Sequence, residues 1–333
     1  MTILVFPGGL PRALEFVTTN PNAIGASSVK NDPAKIHYSH WLELPYITQP
    51  NFSQELKKCI NKFSISKIYC PHNLAWGHLK DIVEHIEDVE VLEPSPILVE
   101  QKPYKQVLKA VGQLDTPLSE IEMAGILKTS WRIEGEMVDR KIAALSRIFP
   151  DLPKGDIIEI GSLYGKSAYV LSCLSRKYSI GNILCIDPWD LLIIDKDKTD
   201  VIASTLSQRD LKIIHNGFMM NLSTAENVNF IRGFSQKVAA TYKKGTVSTQ
   251  MGETNYTGKI SLLHIDGNHD YEFVTLDYEK WSPKVQPGGW VVFDDYEWSF
   301  GDGPKRAGDK FIDRVKPTKA FIDGGAMFVQ MPN

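Results

Sequence analysis

The chain has 333 residues, 43% of them hydrophobic, and a net formal charge of -3 with lysines and arginines scattered along it. That length allows two domains with sizeable cores. The charge balance offers no basic field for nucleic acid, and no apolar run is long enough to span a bilayer. The opening Met1–Gly9 lacks the basic region of a signal peptide. Cys59, Cys70, Cys173 and Cys185 have no metal-ligand spacing and read as buried free thiols, which suits a reducing, cytoplasmic setting.

In chain order, Thr2–Phe6 reads as a buried strand ending in Pro7-Gly8-Gly9. Gln54–Lys62 reads as a helix and Lys67–Cys70 as a second strand ending in Pro71-His72-Asn73. Alternating strands and helices predict a small Rossmann-like α/β domain over residues 1–100. It weakly resembles the domain that precedes ATP-grasp modules, but no ATP-grasp set follows. A scaffold or dimerisation role and a ligand at the Pro-Gly-Gly turn both stay open. Residues 101–150 form a linker and helices leading into the core: prolines at 94, 96, 103 and 117 mark the connection. Ser119-x-x-Glu122 is a capping box that opens a helix. A further helix over Glu136–Ile148 puts Met137, Leu145 and Ile148 on its apolar side.

The core, residues 151–333, begins with the strand Ile157–Ile160 running into Gly161-Ser162-Leu163-Tyr164-Gly165 and a helix at about Ser167. Glycines there let backbone approach a ligand, and the helix start would aim free N–H groups at it. A tight turn with no ligand is the alternative. The turn is one residue short of a phosphate-cradling P-loop and lacks the second glycine of the dinucleotide fingerprint. Asn182–Ile186 forms the next strand, and Asp187 at its end is placed to accept from ribose hydroxyls. Val228–Ile231 follows, with Gly233-Phe234-Ser235 at its carboxyl end where an adenine ring would lie. Two long connections, Pro188–Asn227 and Lys243–Lys259, are candidate lids. Leu262–Ile265 leads into Asp266-Gly267-Asn268-His269, and Pro287-Gly288-Gly289 turns the chain into Trp290–Phe293 and Asp294-Asp295. A last strand pair, near Ala320–Ile322 and Ala326–Val329, turns at Asp323-Gly324-Gly325.

At this point the sequence resembles the class I S-adenosylmethionine-dependent methyltransferases. It is most similar to the macrocin-type and mycinamicin-type small-molecule sugar O-methyltransferases. The carriers are the Glu159–Ser167 turn, Ile265–His269, Pro287–Gly289, Asp294-Asp295-Tyr296 and Gly303–Phe311. The resemblance covers roughly residues 118 to 331. It implies an α/β fold, a seven-stranded, mostly parallel Rossmann-like methyltransferase core. It also implies S-adenosylmethionine as cofactor, bound by Glu159, Gly161, Ser162, Gly165, Ser167, Asp187, Gly233, Phe234, Ser235 and Asp266.

Asp266, Asp294 and Asp295 are hard oxygen donors at the ends of neighbouring strands and suit Mg²⁺ or Mn²⁺. Successive residues of a regular strand point to opposite faces, so Asp294 and Asp295 share an ion only where the strand has already broken. The alternative is a cap or loop with no metal. In the resembling mycinamicin-type enzymes an Asp-x-x-His pair has the Asp266–His269 spacing and its histidine is the base, which implies that role for His269. The other histidines, His264 and His72 among them, read as structural. Trp131, Arg132 and Glu136 are candidates for the substrate mouth. The expected function is metal-dependent O-methylation of a small hydroxylated acceptor, with no nucleic-acid or membrane partner and a homo-oligomer left open. An adenosylmethionine-binding scaffold and a nucleotide-using kinase or ligase are the alternatives.

Overall fold

Parallel strands buried on both faces need unbroken apolar runs, and the segments around Ile157, Ile183 and Leu262 supply them. The computed structural model describes residues 2–189 and 211–333. They divide into an amino-terminal unit, Met1–Gln106, and a carboxyl-terminal unit, Val107–Asn333.

The first unit is a five-stranded parallel sheet of β1 (Thr2–Val5), β2 (Ile24–Ser27), β3 (His40–Glu43), β4 (Ile65–Tyr69) and β5 (Glu90–Val91). Its order is β3-β2-β1-β4-β5. Helices α1 (Pro11–Thr19), α2 (Phe52–Phe63) and α3 (Asn73–Val83) connect the strands. Leu4, Ile24 and Ile68 pack into one core cluster, and Val5, Ala13 and Val17 into another. The Pro-Gly-Gly turn is closed by protein: Tyr38 Oη donates to the Gly8 carbonyl at 2.8 Å. Helix α4 (Pro96–Val111) carries Pro103 inside it, so much of the proline-marked stretch is helical, with Pro94 and Pro117 outside the helix.

The second unit opens with α5 (Glu120–Ser130), whose Ser119–Glu122 capping box is present, and α6 (Asp139–Ile148). Its sheet contains β6 (Asp156–Ile160), β7 (Ile183–Asp187) and β8 (Val228–Arg232), linked by α7 (Lys166–Tyr178) and α8 (Leu211–Leu222). After α9 (Ser235–Thr241) comes a separate antiparallel hairpin of β9 (Gly245–Thr249) and β10 (Gly252–Tyr256). Strand β11 (Ile260–Ile265), α10 (Tyr271–Trp281), β12 (Val285–Phe293), α11 (Gly303–Val315), β13 (Lys319–Asp323) and β14 (Ala326–Gln330) complete it. The seven-stranded order is β13-β14-β12-β11-β6-β7-β8, parallel except at β14, as expected for the core.

Alternation along the strands splits the interior in two. Ile157, Leu262 and Val292 enter one cluster, while Ile158, Leu263 and Val291 enter the other. The hairpin corrects one expectation. Lys243–Lys259 is no lid, because Thr257 N, Thr257 Oγ1 and Gly258 N all donate to Asp156 at the amino end of β6. Ligands of such sheets sit at the opposite, carboxyl end. Of the other candidate lid, residues 190–210 lie outside the described residues, and α8 occupies part of what remains.

Candidate active site

Five strand ends of the seven-stranded sheet carry the residues singled out by sequence. At the end of β6, Gly161 has φ +81° and Gly165, the residue before α7, has φ +83°. A Cβ on Gly161 would lie 1.9 Å from the Asp266 carbonyl, so this glycine lets the ends of β6 and β11 close together. A Cβ on Gly165 would instead meet Leu222 and Phe218 of α8. Both glycines therefore have protein neighbours that require them.

Ser162 is buried, and its Oγ donates to Glu159 Oε2 at 2.6 Å. Glu159 is fully enclosed, so it braces the turn from beneath. Asp187 grips the same turn. Its Oδ2 accepts from Ser162 N at 2.9 Å and Leu163 N at 3.1 Å, and its Oδ1 accepts from Trp189 N at 2.8 Å. Burial raises the Asp187 pKa, and those three N–H groups oppose the rise. Ser167 is buried in the first turn of α7, and Lys166 Nζ donates to the Gly135 carbonyl at 2.8 Å.

At the end of β8, Gly233 leads to Phe234, which is 37% exposed, and to buried Ser235. Ser235 Oγ donates to Asp277 on α10, and Gln236 Nε2 donates to the same carboxylate oxygen at 2.7 Å. At the end of β11, Asp266 N donates to the Ile160 carbonyl at 2.8 Å, and the chain turns through Gly267 and Asn268 to His269. Strand β12 stops at Phe293, and Asp295 has φ +50°, so the acidic pair lies where the regular strand has ended. Asp295 Oδ2 is 2.7 Å from His269 Nε2. The His269 ring stacks on Trp298, with centroids 4.6 Å apart.

Among the described residues, two groups could hold a metal: Asp266, His269 and Asp295, and His264, Asp266 and Asp294. They share Asp266 and divide the acidic pair between them. Oxygen-rich sets of this kind suit a hard divalent cation. Burial and the neighbouring charge of Asp294 raise Asp266 well above the ordinary carboxylate range, against the opposing pull of Lys141 and His264.

Residues 158–296 match the family model described as a methyltransferase domain. Over that stretch the chain is similar to methyltransferase domains. Curated relatives of the chain include two uncharacterised proteins. One is y4gI of Sinorhizobium fredii, 27% identical over 141 residues, or 42% of this chain and 13% of that protein. The other is R132 of Acanthamoeba polyphaga mimivirus, 29% identical over 145 residues, or 43% of this chain and 53% of that protein. The matched stretch spans about half of one curated relative and a small part of the other.

Among solved structures, the O-methyltransferase NovP is 18% identical, covering 58% of this chain and 80% of its own, with a TM-score of 0.43. CalS11, a TDP-rhamnose 3'-O-methyltransferase of calicheamicin biosynthesis, is 16% identical, covering 72% and 96%, with a TM-score of 0.37. MycE of the mycinamycin pathway, solved with Mg, S-adenosylhomocysteine and mycinamycin VI, is 15% identical, covering 64% and 54%, with a TM-score of 0.40.

The carboxyl-terminal unit also places two buried charged residues beside the site that sequence reasoning did not put there. His264, read as structural, is completely buried between two carboxylates: Nδ1 is 3.6 Å from Glu159 Oε1 and Nε2 is 3.2 Å from Asp294 Oδ2. The register explains this, since His264 pairs with Glu159 across the sheet and Asp294 follows its other neighbouring strand. Burial alone would lower the His264 pKa, but Asp294 and Glu159 outweigh it and push it up to about 10. Lys141 on α6 is also buried, and its Nζ donates to Asp294 Oδ1 at 2.5 Å and Oδ2 at 2.6 Å. Burial opposes the ionised Asp294, yet Lys141 and His264 together hold its pKa below the usual carboxylate range.

Helix α6 is fastened to the last hairpin of the carboxyl-terminal unit as well. Arg140 Nη2 is 2.9 Å from Asp323 Oδ1, and Arg147 Nη2 is 2.5 Å from Asp323 Oδ2. At the mouth candidates, Trp131 Nε1 donates to Asp139 at 2.8 Å while its ring is partly exposed. Of the cysteines, Cys70 and Cys185 are buried, but Cys59 and Cys173 are only partly so, which corrects the uniform reading of buried thiols. Lys141 carried no motif; a lysine inside an otherwise apolar helix face was the one available signal.

Proposed function

We propose that this protein transfers a methyl group from S-adenosylmethionine to a hydroxyl of a small polyhydroxylated molecule, such as a sugar or glycosylated metabolite, with the help of Mg²⁺ or Mn²⁺. The observation that carries this reading is the convergence of Asp266, His269 and Asp295 at the carboxyl ends of β11 and β12, beside the glycine turn. The cofactor would lie along the ends of β6, β7 and β8, against Gly161, Asp187, Gly233 and Phe234. Glu159 and Ser167 support the turn from below, and Asp277 holds Ser235 and Gln236 beneath the adenine position. Asp266 separates the cofactor side from the acceptor side. The sugar-type acceptor rests on the resemblance carried by Asp266-x-x-His269, Asp294-Asp295-Tyr296 and Gly303–Phe311.

In the reaction the S–CH₃ bond breaks as an O–CH₃ bond forms in line, leaving S-adenosylhomocysteine and a methyl ether. Positioning of the two reactants supplies much of the rate. Asp295 Oδ2, 2.7 Å from His269 Nε2, orients the ring and stabilises its cationic form, so the hydroxyl proton passes to the other ring nitrogen, Nδ1. Trp298 fixes the ring plane by stacking. Asp266 and one or both of the acidic pair would hold the divalent ion, which would supply Lewis acidity and lower the pKa of a nearby hydroxyl.

The test is methyl transfer from labelled S-adenosylmethionine across a panel of hydroxylated glycosides, alongside calorimetry with S-adenosylhomocysteine. His269→Ala should lower kcat by about 10²–10⁴-fold, the usual scale for a positioned base, with the dissociation constant for S-adenosylhomocysteine unchanged. Near-normal turnover in His269→Ala would overturn the base assignment. Full activity in excess chelator would remove the metal from the reading.

A further inference from the structure

A buried lysine beside a cluster of carboxylates changes what that cluster can bind. Lys141 and Asp294 are only 4% and 2% exposed at their side chains, and the ammonium spans both carboxylate oxygens. His264 Nε2 approaches Asp294 Oδ2 from another side at 3.2 Å, and Asp295 N donates to Asp294 Oδ1 at 2.8 Å. Asp294 therefore has both oxygens engaged within the protein. Asp295 has taken the opposite course: its left-handed backbone carries its side chain to His269.

Three contacts fix Lys141 where it is. The Arg140 and Arg147 pairs with Asp323 hold α6 against the last hairpin. In the turn of that hairpin, Gly324 has φ +59°, and a Cβ there would lie 2.4 Å from Lys141 N. Only glycine lets the hairpin reach the helix so closely.

From this geometry we infer that Lys141 is a positioning residue that withdraws Asp294 from metal coordination, so that the divalent ion is held on the Asp266–Asp295 side of the cluster. The inference rests on the metal-assisted reading given above, and it alters that reading's ligand set. The ammonium is already enclosed against both Asp294 oxygens and neutralises their charge, which lowers their attraction for a second cation. Asp294 then serves as the fixed counter-charge that keeps Lys141 and His264 in place, while Asp266 and Asp295 are less buried than Asp294.

The experiment is titration of the full chain with Mn²⁺, read by electron paramagnetic resonance of the free ion, in the presence of S-adenosylhomocysteine. Four proteins are compared: wild type, Asp295→Asn, Lys141→Met, and the paired Lys141→Met/Asp294→Asn. Removing both charges of the pair avoids leaving a lone buried ion, the change that most threatens folding. In Lys141→Met, Asp294 keeps His264 as a partner.

We expect Asp295→Asn to weaken Mn²⁺ binding by at least about tenfold. The paired variant should stay within about threefold of wild type, and Lys141→Met should bind more tightly because Asp294 is released to the ion. Loss of about tenfold or more in the paired variant, with its circular dichroism spectrum unchanged, would make Asp294 a ligand and overturn the inference. Unchanged or weaker binding in Lys141→Met would overturn it too, and serves as the deciding arm where the paired variant does not fold. If wild type binds no Mn²⁺ but Lys141→Met does, the withdrawal of Asp294 by Lys141 stands, while the metal-assisted reading and an ion on the Asp266–Asp295 side both fail. If neither binds, both fail.

Discussion

Asp277 enters the interior on α10, where one carboxylate oxygen accepts from Ser235 Oγ and Gln236 Nε2. Burial raises its pKa to about 6, against the partial relief those two donors give. Folding therefore favours the protonated acid. The associated stability is complete below the unfolded carboxylate pKa of about 4 and is lost as pH rises through about 6. Asp277→Asn keeps an oxygen for both donors and has no charge to bury. It should be more stable than wild type at pH 7.5 by about 1–3 kcal/mol, with the gap closing near pH 4. Urea unfolding at the two pH values decides this, and a variant less stable than wild type at pH 7.5 would refute it. Sequence reasoning passed over Asp277 because a lone aspartate in an amphipathic helix looks like any solvated one. Its partners lie on a different element, about forty residues earlier in the chain.

At the scale of elements, the strand–turn–helix at Ile157–Ser167 was legible because apolar runs, glycines and a helix start all follow local rules. What the glycines are for was not. Sequence reasoning offered Gly161 a ligand or a tight ligand-free turn, and the structure adds a packing demand: the nearest atom to a Cβ there is the carbonyl of Asp266, just past a strand far along the chain. Gly161→Ala should therefore lower the stability of the cofactor-free protein, by more than 2 kcal/mol given the positive φ and the clash. Thermal unfolding without ligand is the measurement. A variant as stable as wild type but unable to bind S-adenosylhomocysteine would return Gly161 to the ligand. His264 shows the same limit. It was read as a strand residue, which it is, but its placement between Glu159 and Asp294 depends on a register that single-strand patterns do not carry. The separation of Asp294 from Asp295 was half legible, since strand alternation already set them apart.

For the whole molecule, the seven-stranded core was legible through the resemblance its motifs carry, and the local crossovers between its parallel strands agree with it. The hairpin of β9 and β10 escaped notice because Lys243–Lys259 is polar on both sides, so alternation gave no signal. No helix among the described residues is long and apolar enough to cross a membrane. Every residue assigned here to the cofactor or the acceptor belongs to the unit Val107–Asn333, which has core clusters of its own. A fragment starting at Val107 should then fold and bind S-adenosylhomocysteine within about threefold of the full chain, a difference of under 1 kcal/mol. Calorimetry on the two proteins checks this. A folded fragment with binding weakened tenfold or more would give the first unit a part in the site.

The fastening of α6 has a consequence for motion. Arg140 and Arg147 tie the helix to Asp323, and Lys141 ties it to Asp294 at the end of a central strand, so the helix and the last hairpin are held to the sheet as one piece. Segments that open easily are those with few buried contacts, and α6, with most of its residues enclosed, is the reverse. Its amides should exchange with deuterium only when the domain as a whole opens. On the proposed function, α6 would be the fixed jamb of the acceptor's doorway, and entry would depend on other parts of the rim.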